Sequence, residues 1–328
     1  MKRASIISLA IAAAALVAVP WIIGGDFYIN MASQVLIYAL FALSINLMLG
    51  YGGMVSLGHA AYLGVAGYTC ILLVTAGYNQ LTAAVIAVLF STAFAGVFGV
   101  LSLRAPGLGF IMITLAIGQI VWGIAYRAND LTGGDNGMSF PARPMPFGFD
   151  IRDAKSFYYF TLIVFAIAFF FLWRFSRSPF GASLVGTKDQ PRRMRMLGHN
   201  VWLIQLLTFV LAGFWGSVAS ILYVYYNLFL SPHALALQQS AEILLMAILG
   251  GATSLTGPIV GAAIITLIKN VISTYVERWN TLLGAIFVIA IIFMPYGLVP
   301  GCKQLWGWLQ NRRKNRTLQH DAPSEPTA

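Results

Sequence analysis

Residues 201–225 read VWLIQLLTFVLAGFWGSVASILYVY and contain no charged side chain. A helix needs about 20 predominantly apolar residues to cross the hydrocarbon core of a bilayer. This stretch therefore predicts a membrane-spanning helix, and similar stretches recur along the chain.

The composition of the whole chain agrees with that interpretation. Hydrophobic residues make up 59% of the sequence and charged residues only 9%, whereas about a quarter of the residues in a soluble domain are charged. We predict an all-α, polytopic transmembrane bundle of about ten spans within residues 1–305. The candidate spans are 5–24, 28–49, 56–77, 81–103, 108–127, 156–174, 201–225, 240–254, 257–275 and 281–299.

Two of these candidate spans are irregular. The span at 240–254 is short and contains Glu242, and the span at 56–77 is glycine-rich and follows the run Gly50–Gly53. Irregular backbone at membrane depth is tolerated only where protein or a wet cavity covers it. We therefore expect broken or re-entrant segments inside the bundle. The glycine-rich runs at 49–58 and 249–257 also resemble each other, which indicates either an inverted repeat or a chance likeness.

The distribution of Lys and Arg predicts the orientation. With a cytoplasmic N-terminus, 14 of the 20 basic residues lie on the cytoplasmic side and 5 outside, as the positive-inside rule requires. Both termini are then cytoplasmic in a bacterial inner membrane, and residues 306–328 form a basic, disordered tail. The alternative for the first span is a cleaved leader, because Met1-Lys2-Arg3 precedes an Ala-rich run.

Sequence motifs of catalysis, nucleotide binding and metal binding are missing. The chain has no G-x-x-x-x-G-K-[ST], H-E-x-x-H or G-x-S-x-G motif. Its four histidines are scattered among loops and spans, and Cys70 and Cys302 fall in different predicted compartments, which argues against a disulfide. The basic residues are not interleaved with exposed aromatics on one face, so we predict no nucleic-acid binding. We expect a non-enzymatic protein without a metal or a cofactor of its own.

The loop at 174–200 is the longest predicted on the cytoplasmic side. Pro191 suits the first turn of a short amphipathic helix, with Asp189 as its N-cap and Gly198 as its stop. Such a helix would lie along the membrane face and offer a docking surface. The alternative is a positively charged loop without a binding partner.

Several stretches, taken in order, resemble one family of transporters. Ser178–Asn200 is similar to the coupling loop of ABC importer permeases, and more narrowly to that of the branched-chain amino acid importers. Further similar stretches are Leu49–Ala61, Gly107–Gln119, Thr132–Gly137 and Leu249–Gly261. The family's loop usually has a Glu–Ala-rich core before the glycine, whereas this chain has Asp189-Gln-Pro-Arg-Arg-Met-Arg-Met196.

The resemblance implies a set of partners and a coupling site. A second permease subunit, two cytoplasmic ATPase subunits that bind the ATP, and an external solute-binding protein would complete the importer in the bilayer. It further implies contact with the ATPase through the loop residues Asp189, Arg192, Arg193, Leu197 and Gly198.

Polar side chains within the spans are candidates for the translocation path, because such groups are costly in lipid and usually face an interior. They are Asn46, Ser56, His59, Thr114, Gln119 and Glu242. The alternative for each of them is a hydrogen bond between helices, and His59 could equally help to fix the glycine-rich turn before it. The alternative for Glu242 is that its carboxylate reaches the outer interface.

Two other functions stay open at the level of sequence. A related permease for urea, amides or aromatic acids would carry the same motifs. A self-contained secondary transporter would work without an ATPase and is expected to carry paired acidic residues in its spans. Only Glu242 and Lys269 are ionisable there, which argues against it.

Overall fold

The computed structural model describes residues 16–21, 25–141 and 151–272, together with isolated positions between 281 and 301. Most of the candidate span at 281–299 lies outside the described residues, as do the tail at 306–328, Cys302 and most of the span at 5–24.

Five helices among the described residues are long and apolar enough to cross a membrane. The first continues from an α-helix into a π-helical turn, Leu47–Tyr51. The five are α1 (Asp26–Asn46), α3 (Gln80–Ser102), α4 (Leu108–Arg127), α6 (Ala154–Ser176) and α9 (Val201–Asn227).

The remaining elements are shorter. Three are apolar helices: α2 (Ala60–Thr75), α10 (Leu237–Gly250) and α11 (Thr256–Ile272). The others are α5 (Asn129–Thr132), α7 (Pro179–Asp189), α8 (Pro191–Met196), the 3-10 turns Gly134–Asn136 and Pro232–Leu235, and the strands β1 (Met138–Ser139) and β2 (Phe229–Leu230). The two strands pair antiparallel, with Met138 opposite Leu230.

Local sequence explains where several helices begin. The Asn79 side chain accepts a hydrogen bond from the Leu81 N–H at 3.2 Å at the start of α3. Asn200 does the same for Leu203 at 3.1 Å at the start of α9. Ser178 caps α7 by accepting from the Gly181 N–H at 3.1 Å. Such caps satisfy N–H groups that have no partner within their own helix.

The helices divide into a centre and a periphery. In the apolar window of Asp26–Tyr51, 78% of the residues are buried, and in that of α9 67%, against 28% for α3, 22% for α4 and 33% for α6. The central helices α1 and α9 pack on each other, α1 also on α6 and α11, and α9 also on α2 and α3. This is an all-α membrane bundle, as the sequence predicts.

Both irregular spans form short helices, although the sequence predicts a short segment only at 240–254. The span predicted at 56–77 becomes helical only at Ala60 and yields a helix of 16 residues. The span predicted at 240–254 yields a helix of 14 residues, which at 1.5 Å per residue is about 21 Å long and shorter than the hydrocarbon core of about 30 Å.

Candidate functional site: two glycine-rich turns and the helices that hold them

The first glycine-rich turn lies between the π-helical end of α1 and the start of α2. Other helices satisfy its backbone groups. The Leu57 N–H donates to the Thr114 hydroxyl at 3.3 Å, and the Ala60 N–H donates to the Ser240 hydroxyl at 2.9 Å. Side chains from α4 and α10 therefore accept the backbone hydrogen bonds that carbonyl groups would accept if this segment were helical.

Three of the predicted path residues, Ser56, His59 and Thr114, lie around this turn and are fully buried. The His59 Nε2 is 2.7 Å from the Ser44 hydroxyl, and the imidazole ring packs edge-on against Tyr62. A Cβ atom at Gly58 would collide with the Thr114 carbonyl. In this conformation the three residues line a close-packed junction rather than an open channel.

The second glycine-rich turn, between α10 and α11, lies directly against the first. The Asn46 amide donates to the Ser254 carbonyl at 3.2 Å. A Cβ atom at Gly50 would collide with the Ala252 carbonyl, and one at Gly250 with the Gly257 carbonyl. We call the contact between residues 49–53 and 249–257 the glycine junction. The two runs that resemble each other in sequence thus meet in space.

Gln119 stands apart from the other predicted path residues. It is half-buried on the peripheral helix α4, and its side chain makes no hydrogen bond to another of the described residues. Its neighbour Gly118 makes the close approach instead, since a Cβ there would lie 2.9 Å from the Gly58 Cα.

Glu242 lies towards the other end of α10 and is buried in an ion pair. The Lys269 Nζ donates to both carboxylate oxygens of Glu242 at 3.0 Å, and the Glu242 side chain is only 2% exposed. The alternative in which its carboxylate reaches the outer interface is therefore wrong. Lys269 also lies 5.7 Å from the centre of the Tyr38 ring. The only indication of this pair in the sequence is that Glu242 and Lys269 are the two ionisable residues within the predicted spans.

The 174–200 loop forms two helices, α7 and α8, where one was expected. The predicted N-cap role of Asp189 is wrong, because Asp189 is the last residue of α7 and Gln190 occupies the cap position without a side-chain bond. Gln190 has φ −146° and ψ 84°, since a residue that precedes proline is pushed out of the α region. Pro191 does begin the second helix, as predicted.

The predicted stop at Gly198 is confirmed. Gly198 has φ +84°, and two backbone bonds close the end of α8: His199 N–H to Met194 O and Gly198 N–H to Arg195 O, both 3.0 Å. This is the pattern of a Schellman cap, which favours glycine. Leu197 just before it is 68% exposed, and Arg192 and Arg193 are exposed as well.

Helix α7 packs directly under the first glycine-rich turn. The Lys188 Nζ donates to the Gly50 carbonyl at 2.8 Å. Gly53 leaves room for the aliphatic part of the same side chain, because a Cβ there would lie 2.8 Å from the Lys188 Cγ. Leu184 is fully buried beside Gly52. Sequence reasoning missed Lys188, whose basic charge is shared by many residues of the loop.

Within the described part of the chain, no group of three or more His, Cys, Asp or Glu residues could hold a metal ion. His233 and Asp135, which approach to 3.7 Å, are both largely exposed and form only a surface pair.

Comparison with known proteins places the chain in a family. The model of a family described as the permease component of branched-chain amino acid transport systems matches residues 27–293. The chain is 26% identical, over 83% of its length and 70% of theirs, to the high-affinity branched-chain amino acid transport system permease proteins LivM of Salmonella typhimurium and Escherichia coli. It is also 23% identical to the probable branched-chain amino acid transport permease protein LivM of Methanocaldococcus jannaschii. That match covers 83% of this chain and 94% of the relative. No solved structure gives a significant match. The chain belongs to the permease components of branched-chain amino acid transport systems.

Proposed function

We propose that this chain is a permease subunit of an ATP-binding-cassette importer, moved by ATPase subunits that dock on the 174–200 loop. The hydrogen bond from Lys188 to the Gly50 carbonyl is the observation that carries this proposal. It joins a surface helix pair to a backbone carbonyl at the end of a membrane-spanning helix. A displacement of α7 would therefore act on the bundle without an intervening flexible linker.

The glycine junction would convert that displacement into a change of access. Backbone lies on backbone at Gly50 and Ala252, and the Asn46 side chain bonded to the Ser254 carbonyl also joins the two turns, so little can absorb a shift. Close-packed contacts of this kind favour discrete arrangements over gradual deformation. The ATP-bound and ATP-free partner subunits would bind the two arrangements with different affinities, and ATP binding and hydrolysis would thereby select between them.

We further propose branched-chain amino acids as the solutes, because the LivM relatives are named for them. A second permease subunit, two cytoplasmic ATPase subunits and an external solute-binding protein would complete the assembly. The excess of basic residues in and around the 174–200 loop supports a bacterial inner-membrane orientation with both termini in the cytoplasm. Cofactor chemistry would be confined to the ATP held by the partner subunits.

The proposal is tested by reconstituting the chain with its partner subunits in vesicles and measuring ATP hydrolysis and leucine uptake together. Gly198→Trp, and the double charge inversion Arg192→Glu with Arg193→Glu, should leave hydrolysis in place but lower uptake. Arg104→Glu is the matched control, since Arg104 is also exposed but lies in another loop. Uptake at the wild-type rate in both loop variants, at normal expression, would contradict the coupling role.

The same assay separates the other candidate functions. Uptake by the chain without any ATPase subunit would indicate a secondary transporter. Uptake of urea, an amide or an aromatic acid in place of leucine would indicate a related permease.

A further inference from the structure

The Glu242–Lys269 pair lies within a larger group of polar side chains on three helices. We call this group the polar cluster: Asn30, Gln34 and Tyr38 on α1, Gln239 and Glu242 on α10, and Thr266, Lys269 and Asn270 on α11. The Asn270 amide donates to the Gln34 side-chain carbonyl at 2.9 Å, and Lys269 lies over the Tyr38 ring. Both contacts join α11 to α1, while the ion pair joins it to α10.

The spacing of these residues along each helix places them on one face of that helix. Residues 30, 34 and 38 recur every four positions, and Gln239 and Glu242, like Thr266 and Lys269, are three apart. Side chains three or four residues apart share one helix face. The three faces meet at the Glu242–Lys269 pair beside Tyr38, which lies about 18 Å along α1 from Gly50 at a rise of 1.5 Å per residue.

Several polar atoms of the cluster make no hydrogen bond within the described part of the chain. Asn30 Oδ1, Gln239 Nε2 and Thr266 Oγ1 are buried without a hydrogen-bond partner among the described residues, and Thr266 is fully buried. Buried polar atoms are nearly always paired, so each exception calls for an explanation. Asn30 Oδ1 accepts hydrogen bonds, Gln239 Nε2 donates them and the Thr266 hydroxyl can do either, so a ligand that carries both donors and acceptors could satisfy them.

We propose that the polar cluster is a binding site for a zwitterionic α-amino acid, whose ammonium binds Glu242 and whose carboxylate binds Lys269 after these two side chains separate. Glu242 is the fixed partner, at 2% exposure, and Lys269, at 24% exposure on a long flexible stem, is the movable one. This inference rests on the proposed function and names the place in the chain where the solute is recognised.

Charge balance explains why only a zwitterion would fit. The Glu242–Lys269 pair carries no net charge, and it joins a buried carboxylate to a partly exposed ammonium. A zwitterion restores one partner for each of them when they separate. An amine would supply no carboxylate for Lys269, and a carboxylic acid would supply no cation for Glu242, whose buried carboxylate is strongly destabilising without one. The pair would therefore close without solute and open only for a molecule with both charges.

The test uses the assembled complex in nanodiscs without the external binding protein, so that the binding protein's own selectivity does not enter. Three isosteric probes are titrated: L-leucine, 3-methylbutylamine, which lacks the carboxylate, and 4-methylpentanoate, which lacks the ammonium. Binding is measured as the shift in unfolding temperature. Leucine should bind the wild-type complex on the order of tenfold more tightly than either analogue, as expected for one charge-assisted bond.

Single variants should invert this preference. In Lys269→Met the amine supplies the missing cation, so 3-methylbutylamine should restore the lost stability better than leucine. In Glu242→Gln, 4-methylpentanoate should do so. The double variant should bind all three probes alike, which keeps the test decisive if a single variant does not fold. Leu267→Met, on the exposed face of α11, should behave as wild type.

A purely structural ion pair gives different results. No leucine preference in the wild-type complex, equal responses of each single variant to both analogues, or an unchanged leucine preference in the double variant would overturn the inference. ATP-driven leucine uptake is measured in the same preparation with the binding protein added. Normal wild-type uptake alongside those results rejects only this site, whereas absent uptake rejects the proposed function itself.

Discussion

The glycine junction and the polar cluster are built on the same helices in opposite ways. Both use α1 and the α10–α11 pair. At the junction, backbone meets backbone at Gly50 and Ala252, with almost no side chains between. At the cluster, side chains from the same helices meet through charges and amides, as in the pair of Glu242 and Lys269.

This difference indicates a division of labour along one set of helices. Where backbones are in contact, a displacement of one helix moves the next, because the contact leaves little freedom to adapt. Where charged side chains are in contact, the strength of the contact depends on which chemical groups are present. The junction is also the end that α7 reaches through Lys188, so the proposed coupling contact and the proposed solute site lie at different positions along the same helices.

The largest expected effect concerns the polar cluster. Lys269→Met leaves Glu242 buried without its ion-pair partner, which should lower the free energy of unfolding by about 4 kcal/mol. Denaturation of the purified chain measures it, and adding Glu242→Gln should recover most of the loss. A loss below about 1 kcal/mol in the single variant would show that the cluster is not held by charge.

The next effect concerns the junction. Gly50→Ala places a methyl group against the Ala252 carbonyl, so we expect a loss of about 2 kcal/mol, as in other overpacked interiors. Gly96→Ala is the matched control, because its Cβ would meet only the Val210 side chain at 3.9 Å. Equal unfolding temperatures for the two variants would mean that the junction adapts more readily than its geometry implies.

A smaller effect on stability, with a larger one on transport, is expected at Lys188. Lys188→Met removes the hydrogen bond to the Gly50 carbonyl and should cost about 1 kcal/mol. ATP hydrolysis should continue while solute uptake falls, and Lys188→Arg, which keeps a donor, should retain more uptake. Wild-type uptake by the Met variant would separate α7 from the junction in function.

The smallest effect on stability belongs to the tip of the loop. Leu197 is 68% exposed, so Leu197→Ser should change the free energy of unfolding by less than about 0.5 kcal/mol. Co-purification with the ATPase subunits should nevertheless weaken. Leu131→Ser, at a position that is 59% exposed outside this loop, is the control. Equal ATPase recovery from both variants would contradict docking at the tip.

Features that depend on local sequence were predictable. The apolar run at 201–225 gave a long helix because its length and lack of charge leave few alternatives in lipid. Gly198 ended its helix because only a residue that tolerates a positive φ fits there. The position of Asp189 was mispredicted because the constraint that Pro191 imposes on Gln190 outweighed the capping preference of the carboxylate.

Features that depend on contacts between distant segments were not predictable from one sequence. Nothing around Glu242 indicates that Lys269, 27 positions later, would be its partner. Lys188 and Gly50 are 138 positions apart, and their bond uses a backbone carbonyl that every residue possesses. The path residues were chosen for polarity alone, which is why Gln119 was grouped with residues that it does not contact.

The hydrogen bond from the Ala60 N–H to Ser240 has a consequence for biogenesis. The acceptor lies 180 positions after the donor, and at a synthesis rate of about 5–20 residues per second it is made roughly 10–35 seconds later. Until then the glycine-rich turn before α2 has unsatisfied polar backbone that lipid does not accommodate. We therefore expect the early part of the chain to stay beside the insertion machinery until its late part is made, so that membrane insertion is completed as a whole rather than helix by helix.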